Sequence, residues 1–124
     1  KADVIITNPP FSLFEAFIHT AIHRDLAPTG TMAMLLRVNA LGGNLRREFW
    51  RIYRPTNMLV ITPRPSFDGA GTDSCEYAWF IWDRGGRYHG AVIDGASRQE
   101  VEPDYRPRRV KIRQHGGANF NLSL

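Results

Sequence analysis

The sequence predicts an α/β fold in which parallel strands are joined by helices and followed by an antiparallel strand pair. Residues 4–7 form an apolar, β-prone run, and a helical pattern begins directly after the loop that ends it. A second apolar run covers residues 31–38, so the strand, the helix and this strand should make a right-handed βαβ unit. Two further β-prone runs, residues 57–62 and 76–82, are joined by a loop without a helical pattern, which favours antiparallel pairing.

The loop after the first strand reads Asn8-Pro9-Pro10-Phe11. Its prolines fix two φ angles and remove two N–H donors, so the carbonyls of Asn8 and Pro9 face no competing donor. The Asn8 side chain offers another acceptor oxygen, and Phe11 offers a flat apolar face. The pattern favours a site that accepts two hydrogen bonds from an NH2 group and stacks on the ring bearing it. The alternative is a plain strand-ending turn before the next helix, with Phe11 in the core.

The helix that follows is predicted over residues 13–24 or 13–26, because apolar residues recur there at helical spacing. Ser12 can act as its N-cap, and Glu15 would complete a capping box. His19 and His23 are four residues apart and could in principle clip a metal ion. No third ligand presents itself in the sequence, so we interpret both as histidines of the helix surface.

The second strand should be buried on both faces, since residues 31–38 are almost continuously apolar. Arg37 and Asn39 lie at its end, at the same sheet edge as Asn8, and could reach a substrate. Residues 45–53 then read as an amphipathic helix. Its predicted inward residues are Leu45, Phe49, Ile52 and Tyr53.

The later part of the chain gives weaker signals. Residues 63–73 form a Pro/Gly-rich loop of a length that tends to be functional in compact domains. A short strand is expected at residues 88–93, and an extended or disordered basic tail from Pro103 onward.

Composition bounds the class of protein. The chain has 124 residues, a net charge of +4 and one cysteine, Cys75, which cannot form an internal disulfide. No run approaches 18 apolar residues and no signal-peptide pattern is present, so a soluble cytoplasmic protein without membrane contact is expected. From Arg84 onward eight Lys/Arg face four Asp/Glu, an excess that suits a polyanionic partner. Because fourteen of the sixteen basic residues are Arg, genomic base composition explains this excess equally well.

The segment from Asp3 to Phe11, DVIITNPPF, resembles the catalytic motif of S-adenosylmethionine-dependent amino-methyltransferases, above all the phage-type N6-adenine DNA methyltransferases. The resemblance implies that the Asn8 side chain and the Pro9 carbonyl bind the exocyclic amine of a flipped-out adenine in DNA. It also implies that Phe11 stacks on the base and that Pro10 stiffens the loop.

A second segment extends this resemblance. Residues 64–83, RPSFDGAGTDSCEYAWFIWD, are similar to the region of these enzymes whose loop aromatic helps to hold the flipped base, a role that would fall on Phe67. Phe67 as a packed loop anchor is the alternative. The resemblance implies that residues 1–83 are the C-terminal half of a methyltransferase catalytic domain of partial Rossmann-like fold, and that residues 84–124 are a basic tail.

The cofactor implied by the resemblance is S-adenosylmethionine. Its FxGxG-type turn has one candidate, residues 66–71, but prolines precede it and an aromatic strand follows where a helix should open. The expectation is therefore a cofactor motif upstream of Lys1, and a fragment that holds the substrate half of the site.

The same sequence features are compatible with other functions. RNA and protein-glutamine N-methyltransferases use similar loops. A non-catalytic fragment could bind nucleic acid through its basic tail, and a different α/β enzyme could use the loop as a plain turn.

Overall fold

The computed structural model describes residues 1–62, 75–97, 110–113 and 119–122. The first strand, β1, spans Ala2–Thr7 and is followed by a single 3₁₀ turn, Phe11–Leu13. Helix α1 spans Phe14–Thr20 and continues as a π-helical turn, Ala21–Asp25, into strand β2, Leu26–Arg37. β1 and β2 are parallel, which confirms the predicted βαβ unit.

The second half of the sheet begins after two 3₁₀ turns, Val38–Leu41 and Asn44–Arg46. The remaining elements are helix α2 (Arg47–Ile52) and strands β3 (Asn57–Thr62), β4 (Tyr77–Asp83) and β5 (Ile93–Ser97).

These strands form one five-stranded sheet in the order β1-β2-β4-β3-β5. β4 lies between β2 and β3 and is antiparallel to both, whereas β3 and β5 are parallel. Four strands therefore point the same way and only β4 opposes them. The predicted α/β class and the predicted antiparallel pair are confirmed.

The core lies between α1, α2 and one face of the sheet. Phe14 and Ile18 of α1 are fully buried, as are Met32 and Met34 of β2 and Phe80 of β4. Burying side chains of this size stabilises a fold by about 1.5–3 kcal/mol each. The central position of β2, between two strands and under a helix, explains its almost continuous apolar sequence.

The predicted capping box of α1 is wrong. Ser12 lies inside the 3₁₀ turn rather than before a helix, and neither this turn nor α1 has a side-chain cap. The reason is Pro10, whose extended backbone (φ −54°, ψ 135°) starts the turn two residues before the predicted helix start. Its carbonyl accepts the Leu13 N–H at 2.9 Å, a backbone bond in place of a side-chain cap.

The predicted inner face of the second helix is partly wrong. Leu45 is fully exposed and Ile52 is 59% exposed, whereas Phe49 and Tyr53 are half-buried as predicted. The helix begins at Arg47, so the face that meets the core is set by Trp50, whose indole N–H donates to the Ala40 carbonyl at 2.8 Å.

Two strand boundaries also differ from the prediction. β2 begins at Leu26 rather than residue 31, because its first residue already pairs with Ala2 of β1. Gly30 permits this path, since a Cβ there would lie 2.5 Å from Leu26 Cδ1. The strand predicted at residues 88–93 is wrong for residues 88–92, which lie in no strand; β5 begins at Ile93 and ends at Ser97, and it pairs with β3.

The boundary proposed after Asp83 stays a prediction, although β5 belongs to the same sheet as β1 to β4. Of the tail, the structure describes strands β6 (Val110–Arg113) and β7 (Asn119–Leu122), which pair antiparallel in a second sheet. Within the described parts of the chain, no helix is long and apolar enough to cross a membrane.

Candidate functional site

The Asn8-Pro9-Pro10-Phe11 loop lies at the carboxyl end of β1, the edge of an α/β sheet where ligands usually bind. Pro9 is buried and Phe11 is half-buried, so both ends of the loop are anchored, while Asn8 is exposed. The prolines hold the backbone extended without donors of their own. The loop is thus a rigid connection that presents one amide side chain to solvent.

Two acceptors of this loop are available to a ligand. The Pro10 carbonyl is engaged by the Leu13 N–H. Among the residues that the structure describes, none donates a hydrogen bond to the Pro9 carbonyl or to the side chain of Asn8. This is the acceptor pair that the sequence predicted, and the structure leaves both oxygens unengaged by the described parts of the protein.

A pocket of about 330 Å³ opens beside these acceptors. A volume near 300 Å³ is at the small end of the range of ligand sites. The walls come from the loop (Asn8, Pro9 and Phe11), from residues 35–37 of β2 and from Tyr77 of β4. None of the described lining residues is a carboxylate, so the described walls offer neutral acceptors and the Arg37 guanidinium.

Arginines flank the ring that the sequence assigns to stacking. The guanidinium carbons of Arg37 and Arg46 lie 5.4 and 5.3 Å from the centre of the Phe11 ring, within the range of a cation–π contact. Arg46 is also held by Glu15, whose carboxylate oxygen lies 3.0 Å from its Nε. A planar ligand stacked on Phe11 would therefore lie next to positive charge, which suits a base carrying phosphate on either side.

The structure brings some predicted site residues together and not others. Arg37 lines the pocket, and its Nε donates to the Tyr77 hydroxyl at 3.4 Å. Asn39 is exposed in the turn after β2 and does not line the pocket. Phe67 and the glycine-rich segment 66–71 lie outside the described residues.

Sequence reasoning missed Tyr77 and Arg46. Tyr77 begins an antiparallel strand, and the sequence does not show that this strand inserts beside β2 with its amino end at the site. The sequence places Arg46 on the arginine-rich face of the helix predicted over residues 45–53. Such a face more often contacts solvent than a ligand.

A larger cavity, of about 680 Å³, lies at the opposite edge of the sheet, between α2 and the starts of β3 and β5. It contains none of the predicted site residues. Its polar walls combine the arginines 47, 51 and 54 with Asn44, Thr56 and Asn57, and it lacks the acceptor pair of Asn8 and the Pro9 carbonyl. We therefore place the candidate site at Asn8 on chemical grounds, although the other cavity is larger.

Among the described residues, the carboxylate with the largest pKa shift, Asp83, lies away from the site. The Thr31 hydroxyl donates to the Asp83 carboxylate at 2.6 Å, and the Tyr88 N–H donates to it at 2.7 Å. These hydrogen bonds lower the pKa of Asp83 to about 2. Because Asp83 ends the antiparallel strand, it lies at the sheet edge opposite Asn8, and its role there is structural.

Comparison with known proteins gives no family for this chain. No family model matches the sequence, and no curated protein matches it. Among solved structures, the chain is similar to M1.HpyAVI in a crystal structure with SAM, at a TM-score of 0.41 and 17% identity. The match covers 81% of this chain and 57% of that chain, so the chain spans little more than half the length of this structural neighbour. A likeness at this level does not assign a function.

Proposed function

We propose that this chain carries the substrate-binding half of an N6-adenine DNA methyltransferase site. The observation that carries the proposal is an acceptor pair, Asn8 and the Pro9 carbonyl, to which no described residue donates, beside a pocket lined by Phe11. An NH2 group has two protons to donate, and the proline-stiffened loop offers two acceptors. Adenine presents such a group on a flat ring that can stack on an aromatic face.

The chemistry assigned to the loop is stabilisation of charge at the amine nitrogen. The lone pair of an aromatic amine is delocalised into the ring, which makes the nitrogen a weak nucleophile. Hydrogen bonds from its protons to Asn8 and Pro9 favour rehybridisation and stabilise the positive charge that develops there. A neutral amide accepts at any pH, so this role requires no carboxylate in the pocket.

Phe11 and the arginines have separate roles in the proposal. A base must leave the duplex to reach the pocket, and stacking on an aromatic ring restores about 1–3 kcal/mol of the lost stacking. Arg37 and Arg46 lie over the Phe11 ring without ligand, so a base that stacks there displaces their guanidinium groups towards the phosphates of the flipped nucleotide.

The methyl donor of the proposed reaction is S-adenosylmethionine, whose sulfonium carries the transferable methyl group. The described residues contain no glycine-rich turn that directly joins a strand to a helix, so no residue of this chain is assigned to the donor. The decisive test therefore concerns the base and not the donor.

That test compares adenine with purine, which lacks the 6-amino group, at one position of a single-stranded DNA oligonucleotide. The wild-type chain should bind the adenine oligonucleotide more tightly. Asn8→Ala should remove most of this preference, because the amine loses one of its two acceptors, whereas the exposed Asn44→Ala should retain it. Fluorescence anisotropy measures both affinities. Equal binding of the two oligonucleotides by the wild-type chain would refute the proposal.

Phe11 is tested in the same assay. Phe11→Ala should weaken binding of both oligonucleotides by about 1–3 kcal/mol, because stacking does not depend on the amine. Phe11→Trp should bind as well as the wild-type chain. A loss confined to the adenine oligonucleotide would contradict the stacking role.

The substrate class is tested by methyl transfer. The chain, joined to the cofactor-binding half of a methyltransferase, is incubated with labelled S-adenosylmethionine and with DNA, RNA or a glutamine-containing protein. Mass spectrometry should then detect N6-methyladenine in DNA. Asn8→Ala should reduce this product by about 10²–10³-fold, as loss of one preorganised transition-state hydrogen bond does in other enzymes. Methylated RNA or glutamine in place of DNA would assign the loop to one of the rival methyltransferase classes.

A further inference from the structure

A second cluster of side chains lies where α1 meets the end of α2. His19 is on α1, His23 is in the π-helical turn that follows, and their ring centres are 4.6 Å apart. The Tyr53 hydroxyl lies between them, 2.5 Å from His19 Nδ1 and 3.0 Å from His23 Nε2. None of the three residues lines the pocket beside Asn8.

We propose that His19, His23 and Tyr53 form a binding site for a divalent late-transition-metal ion, with Cu²⁺ as the preferred ion. Two histidines one helical turn apart are a recurrent pair of metal ligands. The sequence offers no third ligand of the usual kind, and no group of three His, Cys, Asp or Glu forms among the described residues. The structure supplies the third donor atom as a phenol oxygen, from a residue thirty positions further along the chain.

The chemistry of the donors indicates the ion. The Tyr53 oxygen lies within hydrogen-bonding distance of one nitrogen of each imidazole, so two nitrogen donors and one oxygen donor meet at this point. Square-planar or tetragonal nitrogen and oxygen sites are typical of Cu²⁺ and Ni²⁺, and Cu²⁺ binds most tightly in the divalent series.

The position of Tyr53 is fixed by its surroundings. Its ring packs on Phe49 at 4.9 Å, its N–H donates to the Phe49 carbonyl at 2.8 Å, and its carbonyl accepts the Trp82 indole N–H at 3.0 Å. Both histidines are exposed, so an ion can reach the donors from solvent. The protein thus holds the phenol in place while the imidazoles remain accessible.

Metal binding would replace hydrogens that now bridge the three groups. One imidazole accepts the Tyr53 proton while the other donates its own N–H to the same oxygen. A metal ion takes the lone pairs of these atoms. The phenol proton passes to solvent, and the donating imidazole changes tautomer, so that its proton lies on the other ring nitrogen. The three donor atoms are already close together before the ion binds. Less conformational entropy is therefore lost on binding.

The test is titration of the 124-residue chain with Cu²⁺, followed by calorimetry and by visible absorption. One ion should bind per chain and give a phenolate-to-copper charge-transfer band, a signature that a histidine-only site lacks. His19→Gln and His23→Gln should each weaken binding about tenfold or more, which is 1.4 kcal/mol or more. His89→Gln, a change at an exposed histidine outside the cluster, should bind as the wild-type chain does.

Tyr53→Phe distinguishes a metal site from a surface histidine pair. This variant keeps the aromatic packing, and it should lose the charge-transfer band and bind less tightly. Circular dichroism of each variant shows whether the fold is retained. The proposal is overturned if Tyr53→Phe keeps the band, or if the His19→Gln/His23→Gln double variant binds Cu²⁺ as tightly as the wild-type chain.

Discussion

Two hydrogen bonds to the Asp83 carboxylate make the folding stability of this chain depend on pH. Its carboxylate accepts from the Thr31 hydroxyl and the Tyr88 N–H, and its pKa falls from 3.8 to about 2. A carboxylate with a lowered pKa in the folded state contributes stability that is fully present above the unfolded value. That stability is lost as the pH falls from about 4 towards 2, because the unfolded chain binds the proton first.

Asp83→Asn isolates this contribution. The variant should be less stable than the wild-type chain at about pH 6, since an amide oxygen accepts these bonds more weakly. The difference should shrink as the pH falls towards about 2, where the wild-type carboxyl is itself protonated. Urea unfolding at several pH values measures it, with Asp3→Asn, a change at an exposed carboxylate, as the control. A difference that does not change with pH would contradict the role assigned to Asp83.

At the scale of the elements, the order of the elements is predicted more accurately than the residues at which they begin and end. β3 lies at the predicted residues, and β4 is shifted by one, because short apolar runs bounded by turn residues report burial directly. The start of β2 depends on pairing with Ala2, and the helix start depends on Pro10 rather than Ser12. Such boundaries follow from neighbours in space and from backbone angles, which a linear pattern does not contain.

Unfolding free energies of two variants near helix α2 distinguish its observed buried face from the predicted one. The Trp50 indole N–H satisfies the carbonyl of Ala40, a residue with no exposed surface, so Trp50→Phe should cost about 1–3 kcal/mol of unfolding free energy. Leu45, predicted inward but found fully exposed, provides the control: Leu45→Ala should change stability by no more than about 0.5 kcal/mol. Denaturant unfolding measures both. A large loss in Leu45→Ala would support the predicted helix face over the observed one.

At the scale of the molecule, the candidate site is assembled by strand order. The loop at Asn8 and the polar end of β2 at Arg37 were predictable, because parallel strands end at the same edge. The position of Tyr77 was not predictable, because Tyr77 reaches that edge only when β4 inserts antiparallel between β2 and β3. The copper site at Tyr53 has the same origin, since two helices far apart in sequence must meet before the phenol can approach His19 and His23.

Mutations in the core and mutations at the candidate site should therefore change the unfolding free energy by different amounts. Phe80 lies on the central antiparallel strand, pairs with Met34 and Met58, and has no exposed surface. Phe80→Ala should cost about 3–5 kcal/mol, a large part of the roughly 5–15 kcal/mol that stabilises an ordinary domain. Asn8 is exposed and bonds to no described side chain or backbone group, so Asn8→Ala should cost no more than about 0.5 kcal/mol.

Thermal and denaturant unfolding of the two variants is measured together with adenine binding. The combination shows whether the Asn8 loop binds a ligand or serves only as a strand-ending turn. If Asn8 is a ligand-binding residue, Asn8→Ala retains the wild-type unfolding midpoint and loses the preference for adenine. If the loop is a plain strand-ending turn, Asn8→Ala lowers the midpoint and leaves nucleic-acid binding unchanged. The exposed side chain beside an open pocket leads us to expect the first result.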